Sequence, residues 1–144
     1  MILSDLVGLH VFDARGEGTI RHSSYDWREP ANCYAFRFDG KIYVVAEDEN
    51  DGYRSAHDDI HEATEEDLKT ITMVDFPAPI VVNCVHRTKG DYSEDDDVLV
   101  VINEATGLVI MEIGTTNVND YYPSFHHRWI PEGEPFCEPR QWSE

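Results

Sequence analysis

The pattern Asn-Asp-x-Tyr-x-Ser occurs twice, at Asn50-Asp51-Gly52-Tyr53-Arg54-Ser55 and at Asn119-Asp120-Tyr121-Tyr122-Pro123-Ser124, each time after an apolar run of strand length. The copies are 69 residues apart, about half of the 144-residue chain. Self-similarity at a fixed distance constrains architecture more than any single motif, because a repeated unit places equivalent loops at equivalent strand ends. The likeness extends backwards. Phe36 to Val45 and Val98 to Met111 both read as β-hairpins running into the signature segment. A further apolar stretch precedes each hairpin, Leu6 to Phe12 in the first half and Pro79 to Val85 in the second.

Turn chemistry supports these strands. Asp39-Gly40 and Thr106-Gly107 interrupt apolar runs with residues that tolerate positive φ, the signal of a tight hairpin. Arg15-Gly16-Glu17-Gly18 is expected to end a strand over 10–14, and Phe76-Pro77-Ala78-Pro79 to separate the halves. Thr64-Glu65-Glu66-Asp67 has a capping hydroxyl followed by acids that favour the helix dipole, which predicts a short helix over 65–71. Ser4 is placed to cap a first turn. The expected fold is mainly β (α+β): antiparallel sheets from two similar strand-hairpin-loop halves, 6–55 and 79–124, with one or two short helices. One domain spans 1–144, and an aromatic, Pro-rich tail over 125–144 wraps the sheet or packs on a partner.

Charge narrows the function. The net charge is −18, with ten of the 29 carboxylates in residues 47–67 and five more between Asp91 and Asp97. Such a field repels phosphate backbones and anionic membrane surfaces, arguing against nucleic-acid or membrane binding. It also suits an inhibitor that imitates DNA towards a basic host protein. Cys33, Cys84 and Cys137 form an odd set without C-x-x-C spacing, as expected of a reduced cytoplasmic protein. No basic leader and no 18-residue apolar span appears, so a soluble, unexported chain is expected.

No catalytic set, metal site or cofactor is expected. Glu47, Glu49 and Asp51 before Gly52 imitate a calcium loop poorly, since glutamate is long for that cage and Arg54 brings a positive charge into it. His57 and His61 would share a helix face, but two histidines are short of a zinc site. His22-Ser23-Ser24 and His86-Arg87-Thr88 form the paired H-x-[S/T] triplets of two-histidine phosphoesterases, although His22 sits in a polar loop. The signature segments suit recognition better. Tyr53, Tyr121 and Tyr122 can stack on a base, Arg54 can clamp phosphate, and Asn50, Ser55, Asn119 and Ser124 can bond ribose or base edges, with Asp51 and Asp120 as further ligand-binding candidates in the same segments.

In the order of its motifs the chain resembles the anti-Thoeris sponges, small phage proteins that bind cyclised ADP-ribose signals. The likeness rests on Leu6-Val7-Gly8-Leu9-His10-Val11, Phe36-Arg37-Phe38-Asp39-Gly40, the acidic Asp51-Gly52-Tyr53-Arg54-Ser55 and the Asn119-to-Ser124 segment. Gly52-Tyr53 stands where the family has a cysteine-containing loop, and Pro123 where it has glycine. The resemblance implies a β-rich homo-oligomer that sequesters a small-molecule cyclic nucleotide between subunits, without cleaving it, in the cytoplasm of a phage-infected cell.

Overall fold

A computed structural model describes residues 1–21, 30–48, 57, 60–88, 96–116 and 123–136. Eight strands form one antiparallel sheet: β1 (Gly8–Ile20), β2 (Ala31–Phe38), β3 (Lys41–Ala46), β4 (His61–Glu62), β5 (Ile71–Arg87), β6 (Asp97–Asn103), β7 (Leu108–Thr116) and β8 (Ser124–Pro135). Their order is β4-β3-β2-β1-β5-β6-β7-β8. Read outwards from the β1/β5 seam, each side is a four-strand meander with a hairpin between its second and third strands. At the first hairpin Asp39 and Gly40 have φ of 55° and 83°; at the second Gly107 has 71°. Helical structure is slight: a 3₁₀ turn over Leu3–Leu6 and one turn of helix, α1 (Glu65–Leu68). Thr64 Oγ1 accepts from the Asp67 amide at 3.2 Å and Asp67 Oδ2 accepts from the Thr64 amide at 3.0 Å, a reciprocal cap. No helix among the described residues is long and apolar enough to cross a membrane.

The sheet's concave face carries the main core, built from Phe12, Phe36, Phe38, Val45, Val82, Leu99, Val101, Met111 and Ile113, with Phe76, Phe125 and Trp129 packed against it. Phe12 meets Phe38 and Phe76 edge-on, at centroid separations of 5.2 and 4.8 Å, as ring quadrupoles favour. Two smaller apolar clusters, around Cys33 and Val44 and around Val98 and Val109, lie on the opposite face. Cys33 and Cys84 are buried free thiols pushed up to about 12, first by burial.

Two expectations are corrected. The Phe76-Pro77-Ala78-Pro79 segment does not divide the chain but lies inside β5. Phe12 pairs with Ile80 and Ala14 with Asp75, so residues 76–79 bulge opposite Asp13 alone. Proline has no amide to give a ladder and is tolerated in a strand at such a bulge. Nor does Arg15-Gly16-Glu17-Gly18 end β1, which pairs on through it to Ile20. Those glycines answer to crowding: a Cβ on Gly18 would lie 2.1 Å from the Thr70 carbonyl oxygen and one on Gly16 2.5 Å from that of Thr72. Gly18→Val is therefore expected to lower stability by about 1–3 kcal/mol, the usual range for overpacking, read as a lower urea midpoint at unchanged m. A midpoint equal to the parent's would show that β1 and β5 are not so close.

The tail expectation resolves within residues 125–135, which belong to β8, pair with β7 and turn Phe125 and Trp129 into the core.

Candidate functional site

Of the residues singled out in the sequence, Asn50, Asp51, Tyr53, Arg54, Ser55, Asn119, Asp120, Tyr121 and Tyr122 lie outside the described residues. Ser124 opens β8 and pairs with Thr116, the last residue of β7. The described residues around the first signature segment do converge on the strand preceding the second. Glu47 bridges to His57, and the His57 amide donates to Thr115 Oγ1 at 2.8 Å. His57 and His61 share no helix face: His61 is in β4, with Nε2 2.8 Å from Asp67. Among the described residues no three His, Cys, Asp or Glu side chains are grouped to hold a metal ion.

The structure brings together a different constellation. The β-bulge at Asp13 shifts the parity of β1, so that Phe12 and Arg15, three residues apart, both pair with core-facing residues, Phe38 and Phe36. A bulge re-aims the side chains beyond it. Arg15, Glu17 and Thr19 consequently line the concave face beside Asn32 and Tyr34 of β2 and Thr72 and Val74 of β5, around a cavity of about 570 Å³. From across the curled sheet three residues of β8 reach this wall of the cavity: His127 and Trp129 touch Arg15, and His127 and Phe125 stack on Tyr34.

Arg15 is the centre of this groove. Its Nη2 donates to His127 Nε2 at 3.2 Å and lies 3.7 Å from Glu17 Oε2, and its guanidinium sits 4.8 Å from the Trp129 ring centre. Its Nε is buried with no hydrogen-bond partner among the described residues. Burial lowers the Arg15 pKa, partly opposed by Glu17 and Tyr34. A guanidinium retains its charge despite such a shift, so the groove holds a partly desolvated cation whose carboxylate partner Glu17 is itself mostly exposed. His127 stacks face to face on Tyr34, with centroids 3.6 Å apart and planes 5° apart, and Phe125 lies 5.9 Å from the same ring. Burial first, then Arg15 and His126, push the His127 pKa down to about 4. Its neutral ring can thus accept the Arg15 hydrogen bond. Burial and then Glu17 raise the Tyr34 phenol, keeping it a donor at neutral pH.

A second polar cluster, on the opposite face, is internally matched. Arg87 Nε donates to Asp96 Oδ2 at 3.2 Å, with its Nη1 3.5 Å from Glu112 Oε2; His126 Nε2 is 2.7 Å from Glu112 Oε1. Thr116 Oγ1 donates to Asp96 Oδ1 at 3.1 Å. Burial disfavours charge on Glu112 but is outweighed by the His126 hydrogen bond and Arg87, so its pKa falls. Of the two H-x-[S/T] triplets, residues 22–24 lie outside the described residues. In the other, Arg87 belongs to this network and His86 Nε2 is 2.6 Å from Asp97.

Acidification tests both clusters. His127 has a folded pKa below its unfolded value, so between about pH 6.5 and about pH 4 the unfolded chain binds more protons and stability falls as pH drops. Glu112, also depressed, stabilises above its unfolded value and loses that contribution as pH falls through its folded one. Urea midpoints are expected to decline steadily below about pH 6.5, and less steeply in His127→Gln. A flat profile from pH 7 to 5 would contradict the buried, neutral His127.

Comparison with known proteins adds no relative to this geometry. No family model, curated protein or solved structure matches the chain.

Sequence reasoning missed Arg15 because it sits in an apparent chain break. The signal was the alternation Arg15-Gly16-Glu17-Gly18-Thr19, period two, with polar side chains on one face and glycine on the other.

Proposed function

We propose that this chain is a binding protein which holds a small anionic ligand with an aromatic ring, of the nucleotide class, in the Arg15 groove and releases it unchanged. The observation that carries this reading is Arg15, whose buried Nε has no hydrogen-bond partner among the described residues and whose guanidinium lies beside the Tyr34-His127 stack. Arginine supplies directed donors to phosphate, aromatic rings take a base face, and Asn32, Thr19 and Thr72 offer bonds to sugar hydroxyls. The resemblance to the sponges gives this reading its specific form: a phage anti-defence protein, oligomeric in the host cytoplasm, that sequesters a cyclic nucleotide immune signal.

The test is depletion and recovery. Incubated with a panel of cyclic nucleotides and filtered, the protein is expected to remove one of them from solution, and heating to return it chemically intact. Recovery of a hydrolysed product would replace this reading with a phosphoesterase; no depletion by any member would end it.

A second reading has its own observation. Leu9 is 64% exposed, Val81 51% and Val11 42%, on one apolar patch of the β1/β5 seam. In a chain of net charge −18 this suits a basic protein partner, as in a DNA-imitating inhibitor. Such a complex is expected to weaken as salt rises from about 50 to about 500 mM, because screening shortens the reach of exposed charge. Insensitivity to salt would argue against it.

A further inference from the structure

We propose that His127 is a second anion ligand of the Arg15 groove, recruited by protonation when a phosphate-type anion arrives at Arg15. The inference rests on the groove being the ligand site. Arg15 Nη2 donates to His127 Nε2 across 3.2 Å, so the imidazole nitrogen facing the groove cation is an acceptor. The ring is clamped against Tyr34 and lies between Phe125 and Trp129 along β8, which fixes where that nitrogen points. It is partly exposed, as a proton acceptor must be.

The geometry leaves room for both nitrogens to serve one oxygen. Charge-assisted N–H···O bonds are about 2.8 Å long, so an oxygen bonded to two nitrogens 3.2 Å apart subtends an angle of about 70° between them. Such an oxygen lies about 55° off the line between the two nitrogens, so both side chains turn towards it as the anion arrives. What changes is the proton: it moves from solvent to His127 Nε2, and the hydrogen bond from Arg15 passes to the anion.

The charges around His127 favour that exchange. Arg15 touches it from β1, with Glu17 on the far side of that guanidinium, and Tyr34 stacks on it from β2; its β7 pair Ile113 carries no charge, and His126 adjoins it on β8. With Arg15 as the nearest charge, a second cation is disfavoured while the groove is empty. An anion between the two reverses the sign of the local field and favours the imidazolium. Burial alone would keep His127 neutral with or without ligand, so only the recruited role predicts proton uptake coupled to binding.

The experiment is isothermal titration calorimetry at pH 6 with 3′,5′-cyclic AMP and, separately, sulfate, neither of which titrates near that pH. Each is run in two buffers of different ionisation enthalpy. Uptake of roughly half a proton or more per ligand is expected, with affinity rising several-fold from pH 7.5 to pH 5.5. His127→Gln, which keeps a neutral polar side chain, is expected to bind without uptake and without that pH dependence. Binding by the parent protein without proton uptake, or uptake that persists in His127→Gln, overturns this proposal and leaves the groove reading standing. If neither probe binds the parent, the groove as an anion site falls and this proposal with it.

Discussion

Arg87→Met is expected to destabilise the fold by about 3–5 kcal/mol, the cost of removing one partner from a buried ion network. The side chains involved are largely out of water: Asp96 is 1% exposed, Glu112 10% and Arg87 18%. Methionine roughly matches the arginine stem but withdraws the positive charge from two buried carboxylates. In a domain of this size such a loss lowers the thermal midpoint by roughly 10–20 °C. Arg128→Ala provides the contrast. It removes a pair to Glu134 at 2.7 Å in which both side chains are more than 40% exposed, and exposed pairs contribute about 0–1 kcal/mol. Urea unfolding of the two variants side by side decides the matter. A loss below about 1 kcal/mol for Arg87→Met would mean that the network is not buried as a unit.

Legibility followed the range of the interactions that shape each element. The Asp39-Gly40 turn, the Thr64 cap and the strand over 97–103 all appear as the sequence predicts, because their causes lie within a few residues of one another. Period-two alternation and turn chemistry were sufficient for an antiparallel, β-rich fold and for a strand followed by a hairpin in each half. Errors arose where the cause was remote. Gly16 and Gly18 read as a break, yet they are small because β5 passes within 2.1–2.5 Å of where their Cβ atoms would stand. Pro77 and Pro79 read as a linker, yet they occupy a bulge whose existence depends on the register with β1. The candidate site shares this property. Tyr34 and His127 are 93 positions apart in sequence, and neither belongs to one of the motifs the sequence offers. Only the curl of the sheet stacks one on the other.

Arg15→Met is expected to have nearly the opposite consequences to Arg87→Met, although both delete a largely buried arginine. Arg87 is matched by carboxylates, whereas Arg15 leaves Nε without a partner among the described residues and faces Glu17 only at 3.7 Å. Removing an orphaned buried donor relieves about 1–3 kcal/mol. Against this stand the hydrogen bond to His127 and the contact with Trp129, the latter contributing about 0.5–2 kcal/mol. The terms nearly cancel, so the urea midpoint should stay within about 1 kcal/mol of the parent's. Ligand retention should not survive. A charge-assisted hydrogen bond contributes about 1.5–3 kcal/mol. At 1.4 kcal/mol per tenfold, losing even one weakens binding by roughly ten- to hundredfold, and losing a forked pair by more. The assay is equilibrium binding of whichever cyclic nucleotide the parent protein depletes, measured beside urea unfolding of the same preparation. Unchanged affinity would remove Arg15 from the site. A stability loss above about 3 kcal/mol would show instead that its role is structural, as that of Arg87 is. The groove reading needs the combination that neither alternative gives: a stable fold that no longer holds an anion.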